Sequence, residues 1–91
     1  MVRIGGYDYE RSTRPGKKLM VRVGNKLIHF GDADSEHYRD RTGIWSSLDH
    51  NDKTRRANYL KRSAGIRDGK GQLTKDNPMS PNFHSRKILW L

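Results

Sequence analysis

Four histidines are the side chains best suited to hold a metal ion or to move a proton in this sequence: His29, His37, His50 and His84. A protein zinc site needs three or four converging ligands, which are usually closely spaced along the chain. The nearest pair, His29 and His37, is eight residues apart, with Asp32 and Asp34 between them. The chain contains no cysteine and no HExxH segment. We therefore predict no metal site, and a small histidine-dependent nuclease is the least favoured of three functions.

Two short motifs resemble catalytic sites only superficially. The segment His50-Asn51-Asp52 is typical of a turn that caps the following helix. The segment Gly69-Lys70-Gly71 is not a phosphate-binding loop, because no strand leads into it and no GKS or GKT follows. Spacing alone nominates no Ser-His-Asp set. The sequence thus predicts a non-enzymatic protein without catalytic residues and without a cofactor.

The remaining functional signal is a run of basic side chains interleaved with an aromatic residue. The candidate binding residues are Arg55, Arg56, Tyr59, Lys61, Arg62, Arg67 and Lys70. Such side chains favour phosphate contacts, which tolerate any base sequence and weaken with salt. Arginine, tyrosine and tryptophan are also the preferred anchors of protein interfaces, so an acidic protein surface is an alternative partner. Acidic neighbours at Asp49, Asp52 and Asp68 dilute the positive charge.

Length, composition and charge restrict the class of protein. The 91 residues allow one domain with a modest core, since 32% are hydrophobic, 32% are charged and the mean hydropathy is -1.04. The net charge of +9 favours polyanionic partners, although a basic surface that serves only solubility is the plain alternative. Residues 46–91 carry ten basic and four acidic side chains, which makes this half the better candidate. No apolar run approaches the ~20 residues that cross a bilayer, so we expect no membrane partner.

A β-hairpin and a helix are the clearest local elements. Residues 19–23 and 26–30 alternate in the manner of two strands, and Gly24-Asn25 between them suits a tight turn. A helix is predicted over residues 53–64, with Asn51 or Asp52 as its N-cap and Gly65 as its stop. Its apolar stripe consists of Ala57, Leu60 and Ala64, which we expect to face the core.

The other segments carry weaker signals. Residues 1–16 are predicted to be an irregular basic arm, because Gly5-Gly6 and Pro15-Gly16 are turn signals, although the alternation of Tyr7 and Tyr9 with Asp8 and Glu10 allows a short extended stretch there. Asp34 or Ser35 could cap one or two helical turns, and residues 65–82 form a long loop. Ser80-Pro81 then begins a short terminal helix or strand. We predict a small single α+β domain over residues 17–91, with the hairpin packed on one or two short helices.

An ordered series of short motifs resembles a small uncharacterised protein family of tailed bacteriophages and large DNA viruses. These motifs are His29-Phe30-Gly31-Asp32, Tyr38-Arg39-Asp40-Arg41-Thr42-Gly43, His50-Asn51-Asp52-Lys53, Arg55-Arg56, Tyr59-Leu60-Lys61-Arg62 and the terminal Leu89-Trp90. The resemblance covers about residues 17–90, and the basic arm lies outside it. No catalytic residues are assigned in that family.

The resemblance implies a viral protein located in the virion or in the host cytoplasm during infection. Combined with the charge, it favours a minor capsid-associated structural component that contacts virion proteins or packaged DNA. Such a protein would be multimeric through its assembly. The alternative is a free nucleic-acid-binding regulator made during infection, and the nuclease comes third.

Overall fold

The computed structural model describes residues 1–91 as four strands and two helices. The strands are β1 (Val2–Ile4), β2 (Tyr7–Arg11), β3 (Lys17–Val23) and β4 (Lys26–Asp32), and the helices are α1 (Lys53–Ser63) and α2 (Pro81–Leu89). The strands form one antiparallel sheet in the order β1-β2-β3-β4. The predicted single α+β domain is therefore confirmed. Neither helix has the length and apolarity needed to cross a membrane.

The hairpin of β3 and β4 forms in the predicted register. Val21 pairs with Ile28, and Val23 pairs with Lys26 across the two-residue turn. Gly24 adopts a φ of 60° there, a conformation that glycine reaches without steric cost. Local turn chemistry and alternation were thus sufficient to specify this element.

The prediction of an irregular arm over residues 1–16 is wrong, because most of that segment belongs to the sheet. β1 and β2 form a second hairpin, and β2 pairs with β3 through Tyr9 and Val21. Gly5-Gly6 is the turn of this hairpin, with φ values of 58° and 86°. Tyr9 points into the core and is fully buried, while Asp8 next to it is exposed. Burial of the Tyr9 side chain stabilises the pairing of this segment with the sheet, which the turn signals at the glycines did not indicate.

The core lies between the sheet and α2. It consists of Tyr9, Leu19, Val21, Ile28, Phe30, Ile88 and Leu89. We expected the hairpin to pack on residues 53–64, but α2 contacts β4, and α1 packs against α2 instead. Ser80 caps α2 by accepting a hydrogen bond from the Asn82 N–H, and Pro81 occupies its first turn. The predicted terminal element is thus a helix and provides the principal cover of the sheet.

The α1 helix begins and ends where the sequence predicts, and its predicted apolar stripe is buried only in part, because Leu60 and Ala64 are half-buried but Ala57 is not. The Asp52 carboxylate caps it by accepting the N–H groups of Thr54 and Arg55. Ala57, expected in the core, is exposed, whereas Ser63 is buried. The buried face is formed with Arg56, Tyr59 and Leu60, which are half-buried. The helix is rotated because these residues pack on α2 and on the C-terminal Trp90.

Two long connections link β4 to α1 and α1 to α2. The helical turns predicted at Asp34 or Ser35 in the first connection do not form. After β4 the Asp32 carboxylate accepts hydrogen bonds from the Asp34 N–H and the Ser35 hydroxyl, which makes a turn instead of the helical cap that was predicted. Residues 65–82, predicted to be a loop, contain an isolated bridge between Arg67 and Leu73 and a short 3₁₀ turn at Thr74–Asp76. Ser35 and Glu36 of the first connection line a cleft beside α1, whereas the second connection does not reach it.

Candidate functional site

A cleft of about 480 Å³ separates α1 and α2 from the end of the sheet where β3 begins and β4 ends. One wall consists of Lys17, Lys18 and Asp32 from the two strands. The facing wall is formed by α1, the first residues of α2 and Trp90. Antiparallel pairing of Lys17 with Asp32 and the packing of α2 on β4 bring these distant segments together.

Four cationic side chains line this cleft: Lys17, Lys18, Arg55 and Arg62. Lys17, Arg55 and Arg62 are exposed, so their charges face solvent at the rim. Lys18 is only 1% exposed and donates a hydrogen bond from Nζ to the Ser35 carbonyl oxygen at 2.5 Å. Burial lowers the pKa of Lys18, and the nearby Asp32 carboxylate opposes this shift.

Two carboxylates moderate the positive charge of the cleft. Glu36 accepts a hydrogen bond from Arg55 Nη1 at 3.0 Å, and their side chains are 55% and 49% exposed. Such exposed ion pairs contribute about 0–1 kcal/mol, so a competing anion can displace Glu36. The Asp32 carboxylate is engaged by the Asp34 N–H and the Ser35 hydroxyl, which lower its pKa and keep it ionised. Four cations against two carboxylates leave the cleft positively charged.

An aromatic pair forms the apolar part of the cleft. The Tyr59 and Trp90 rings stack with centroids 4.1 Å apart and planes at 10°. Tyr59 Oη also lies 3.1 Å from Ser85 Oγ, which fixes the ring against α2. The Arg62 guanidinium carbon is 5.7 Å from the centre of the Tyr59 ring, within range of a cation–π contact. A rigid aromatic stack, whose two rings cover each other's inner faces, therefore lies next to a cation that has no carboxylate partner.

The structure brings only three of the seven candidate binding residues into the cleft: Arg55, Tyr59 and Arg62. Arg56 instead has a structural role, because its Nε donates to the Trp90 carbonyl oxygen at 3.0 Å and its guanidinium lies 5.2 Å from the Tyr38 ring. Lys61 is exposed on α1 outside the cleft.

The other two candidates lie in the loop after α1. Arg67 donates to the Gly71 carbonyl oxygen at 2.7 Å and stabilises that loop, and Lys70 is exposed near it. Sequence reasoning missed Lys17 and Lys18. The adjacent lysines at the start of a predicted strand were the available signal, but only the folded chain places them opposite α1.

Each of the four histidines makes its own separate contact. His84 Nε2 lies 2.7 Å from the Pro78 carbonyl oxygen, and its Nδ1 lies 2.7 Å from Tyr9 Oη. His37 Nε2 lies 2.6 Å from Asp49 Oδ1. The other two, His29 and His50, contact Ser12 Oγ and the Asp52 N–H, respectively. No three His, Asp or Glu side chains converge in an arrangement that could hold a metal ion.

Comparison with known proteins identifies a family but no relative of known activity. No curated protein and no solved structure is significantly similar to the chain. The family described as "Family of unknown function (DUF5754)" matches residues 8–63, from β2 to the end of α1. This range includes Lys17, Lys18, Arg55 and Arg62, the four cations of the cleft. Because the match spans more than half of the 91 residues, the protein belongs to the DUF5754 family.

Proposed function

We propose that this protein is a non-enzymatic viral protein that binds nucleic acid through the cationic cleft, as a minor capsid-associated component in contact with packaged DNA. The observation that carries the proposal is the convergence of Lys17, Lys18, Arg55 and Arg62 on one cleft. The net charge of +9 supports the same class of partner. The viral setting rests on the motif resemblance over residues 17–90.

The chemistry of the cleft favours nucleic acid over an acidic protein surface. Both partners would supply anions for Lys17, Arg55 and Arg62. Nucleic acid places a planar base next to every phosphate, which matches the Tyr59–Trp90 pair beside the cations, whereas an acidic protein surface need not carry an aromatic side chain next to its carboxylates. Cationic grooves with aromatic side chains are typical of proteins that bind nucleic acid without reading its sequence. We therefore favour phosphate contacts with little base-sequence preference.

The positions of the histidines favour a binding protein over a nuclease. His37 is 1% exposed and His84 is fully buried, so neither imidazole can reach a phosphodiester in the native fold. His29 and His50 are half-buried, and neither lines the cationic cleft. His50 packs against Trp90 with ring centroids 5.3 Å apart, but the lining of the cleft itself offers a phosphodiester at Arg55 and Arg62 no imidazole as a general base.

Charge removal inside and outside the cleft tests the proposal. The double variant Arg55→Ala/Arg62→Ala removes two cleft cations, and Arg22→Ala/Lys26→Ala removes two exposed cations from β3 and β4 outside the cleft. Fluorescence anisotropy with unrelated labelled DNA sequences at one salt concentration measures the affinities. We expect the cleft variant to bind at least about tenfold more weakly on every sequence, since phosphate contacts carry no sequence code. Equal weakening in both variants would show that the cleft is not the binding site.

The virion assignment has its own test. Mass spectrometry of density-purified particles from the source virus should detect the protein in a fixed ratio to the major capsid protein. Abundance in the host cytoplasm together with absence from particles would favour the free regulator. Particles that retain the protein after their DNA is removed, combined with no DNA binding in solution, would favour docking on an acidic capsid protein.

A further inference from the structure

The cationic cleft has the volume of a small-ligand site, and its lining is divided into an apolar part and a charged rim. Its volume of about 480 Å³ lies within the range of about 300–1,000 Å³ that is usual for small-molecule sites. Its apolar lining comes from the half-buried Tyr59 and Trp90, since Phe30 and Leu89 are core residues only 1% exposed, while Lys17 and Arg62 are exposed at its rim. A groove that merely follows a phosphate backbone does not need an apolar lining.

The polar groups of the cleft divide into those already engaged and those free to bind. The Asn82 amide nitrogen donates to the Ser63 carbonyl oxygen and to Thr74 Oγ1, and the Ser85 hydroxyl contacts Tyr59 Oη. Arg62, by contrast, has no carboxylate partner.

The other rim cations are equally accessible to a ligand. Lys17 has no carboxylate partner either, and Arg55 is paired only with the exposed Glu36. The groups free to bind a ligand are therefore rim cations. They suit one compact anion next to the Tyr59–Trp90 pair.

We propose that the cleft is a binding site for a single nucleoside monophosphate unit. The phosphate lies among Lys17, Arg55 and Arg62, and the base lies against Tyr59 and Trp90. The inference rests on the proposed function of nucleic-acid binding and restricts the form of the nucleic acid. A base that is paired and stacked inside a duplex cannot enter a cleft of this size, so packaged duplex DNA would contact only the rim cations through its phosphates, whereas a strand end or an unpaired nucleotide can enter.

Titration of the intact protein with three probes tests the inference by NMR. The probes are thymidine 5′-monophosphate, thymidine and inorganic phosphate. The signals are the Trp90 indole N–H and the Ser85 amide in the cleft, with the amides of Met20 and Leu27 as a reference outside it. We expect saturable shifts at the cleft signals only. The monophosphate should bind about 5- to 100-fold more tightly than inorganic phosphate, since a base contact with aromatic side chains adds to the anion contact.

Two variants separate the base contact from the phosphate contact. Tyr59→Leu should reduce binding of the monophosphate toward that of inorganic phosphate. Arg62→Ala should weaken both ligands. Retained dispersion of the core amide signals shows that each variant is folded. If Tyr59→Leu keeps the full preference for the monophosphate, the base does not lie on the aromatic pair and the proposal is wrong.

The failure of this inference is distinguishable from the failure of the proposed function. If oligo(dT) binds but the monophosphate neither shifts the cleft signals nor competes with the oligonucleotide, the nucleotide site is refuted and nucleic-acid binding stands. If inorganic phosphate binds as tightly as the monophosphate, the cleft is an anion site only and the inference is again refuted. If neither DNA nor the monophosphate binds, both proposals fail.

Discussion

The buried His84 should make the fold lose stability in mild acid. Its Nε2 must carry a proton, because it faces the Pro78 carbonyl oxygen, which only accepts hydrogen bonds. Its Nδ1 therefore accepts from the Tyr9 hydroxyl, and the native imidazole is neutral. Burial lowers the pKa of His84, the hydrogen bond to the Pro78 carbonyl oxygen opposes this shift, and the charge of Lys87 adds to it. Protonation would place a charge in the core and remove the hydrogen bond from Tyr9.

The sign and size of the effect follow from proton linkage. The unfolded chain binds a proton at His84 once the pH falls below about 6.5, whereas the folded chain does not. Stability is therefore fully present above pH 6.5 and declines as the pH falls, by up to about 1.4 kcal/mol per pH unit for this one group. The loss stops below the folded-state pKa. Burial also lowers the pKa values of the other three histidines, so the whole protein should lose more than this.

The variant His84→Gln isolates the contribution of His84, because a glutamine amide can accept from Tyr9 and donate to Pro78 without titrating. Urea unfolding followed by far-UV circular dichroism at pH 7.5 and pH 5.5 gives the free energy of unfolding for both proteins. We expect the wild type to lose up to about 1.4 kcal/mol more than the variant between these pH values. An equal loss in the two proteins would refute the assignment of a buried neutral imidazole.

Three further outcomes follow from the structure. Glu36→Gln should tighten DNA binding by up to about fivefold, because it removes the carboxylate partner of Arg55, and the charge-matched Asp76→Asn should have a smaller effect. In an Arg55→Ala background the two substitutions should change the affinity equally. Anisotropy titrations measure both comparisons. Asp52→Ala should lower the free energy of unfolding by about 1 kcal/mol in urea through loss of the α1 cap, with Asp76→Ala as the near-neutral control. Deletion of residues 1–12 should abolish cooperative unfolding, and a melting temperature close to that of the full chain would contradict the place of β2 in the core.

The elements that could be predicted from the sequence are those specified by near neighbours. Gly24-Asn25 fixes the β3–β4 hairpin, Asp52 fixes the start of α1, and Ser80 fixes the start of α2, each through contacts within a few residues. These features need no knowledge of the rest of the chain. For that reason the fold class and three of its main elements were accessible.

The errors arose where distant contacts decide the outcome. Tyr9 joins the sheet because it pairs with Val21 and packs in the core, which the turn signal at Gly5-Gly6 does not reveal. The buried face of α1 is set by Trp90, 34 residues beyond Arg56. The predicted stripe kept Leu60 but not Ala57, because the aromatic stack of Tyr59 and Trp90 buries far more apolar area than an alanine.

The candidate site was partly predictable for the same reason. Arg55, Tyr59 and Arg62 share one helix, so their density was visible in the sequence. Lys18 was not predicted, because lysine is rarely buried and its place in the cleft depends on the path of residues 33–36 around it.

Salt dependence of DNA affinity tests the central claim most directly. Because Lys17, Arg55 and Arg62 share one phosphate in the proposed site, the slope of the logarithm of the association constant against log salt should be at least as steep as about −0.7 for single-stranded DNA, the value for one neutralised phosphate. The Arg55→Ala/Arg62→Ala variant should flatten this slope by up to about 0.7, and Arg22→Ala/Lys26→Ala should leave it nearly unchanged. A wild-type affinity that does not vary with salt, or a slope that the cleft variant leaves unaltered, would contradict phosphate binding in the cleft.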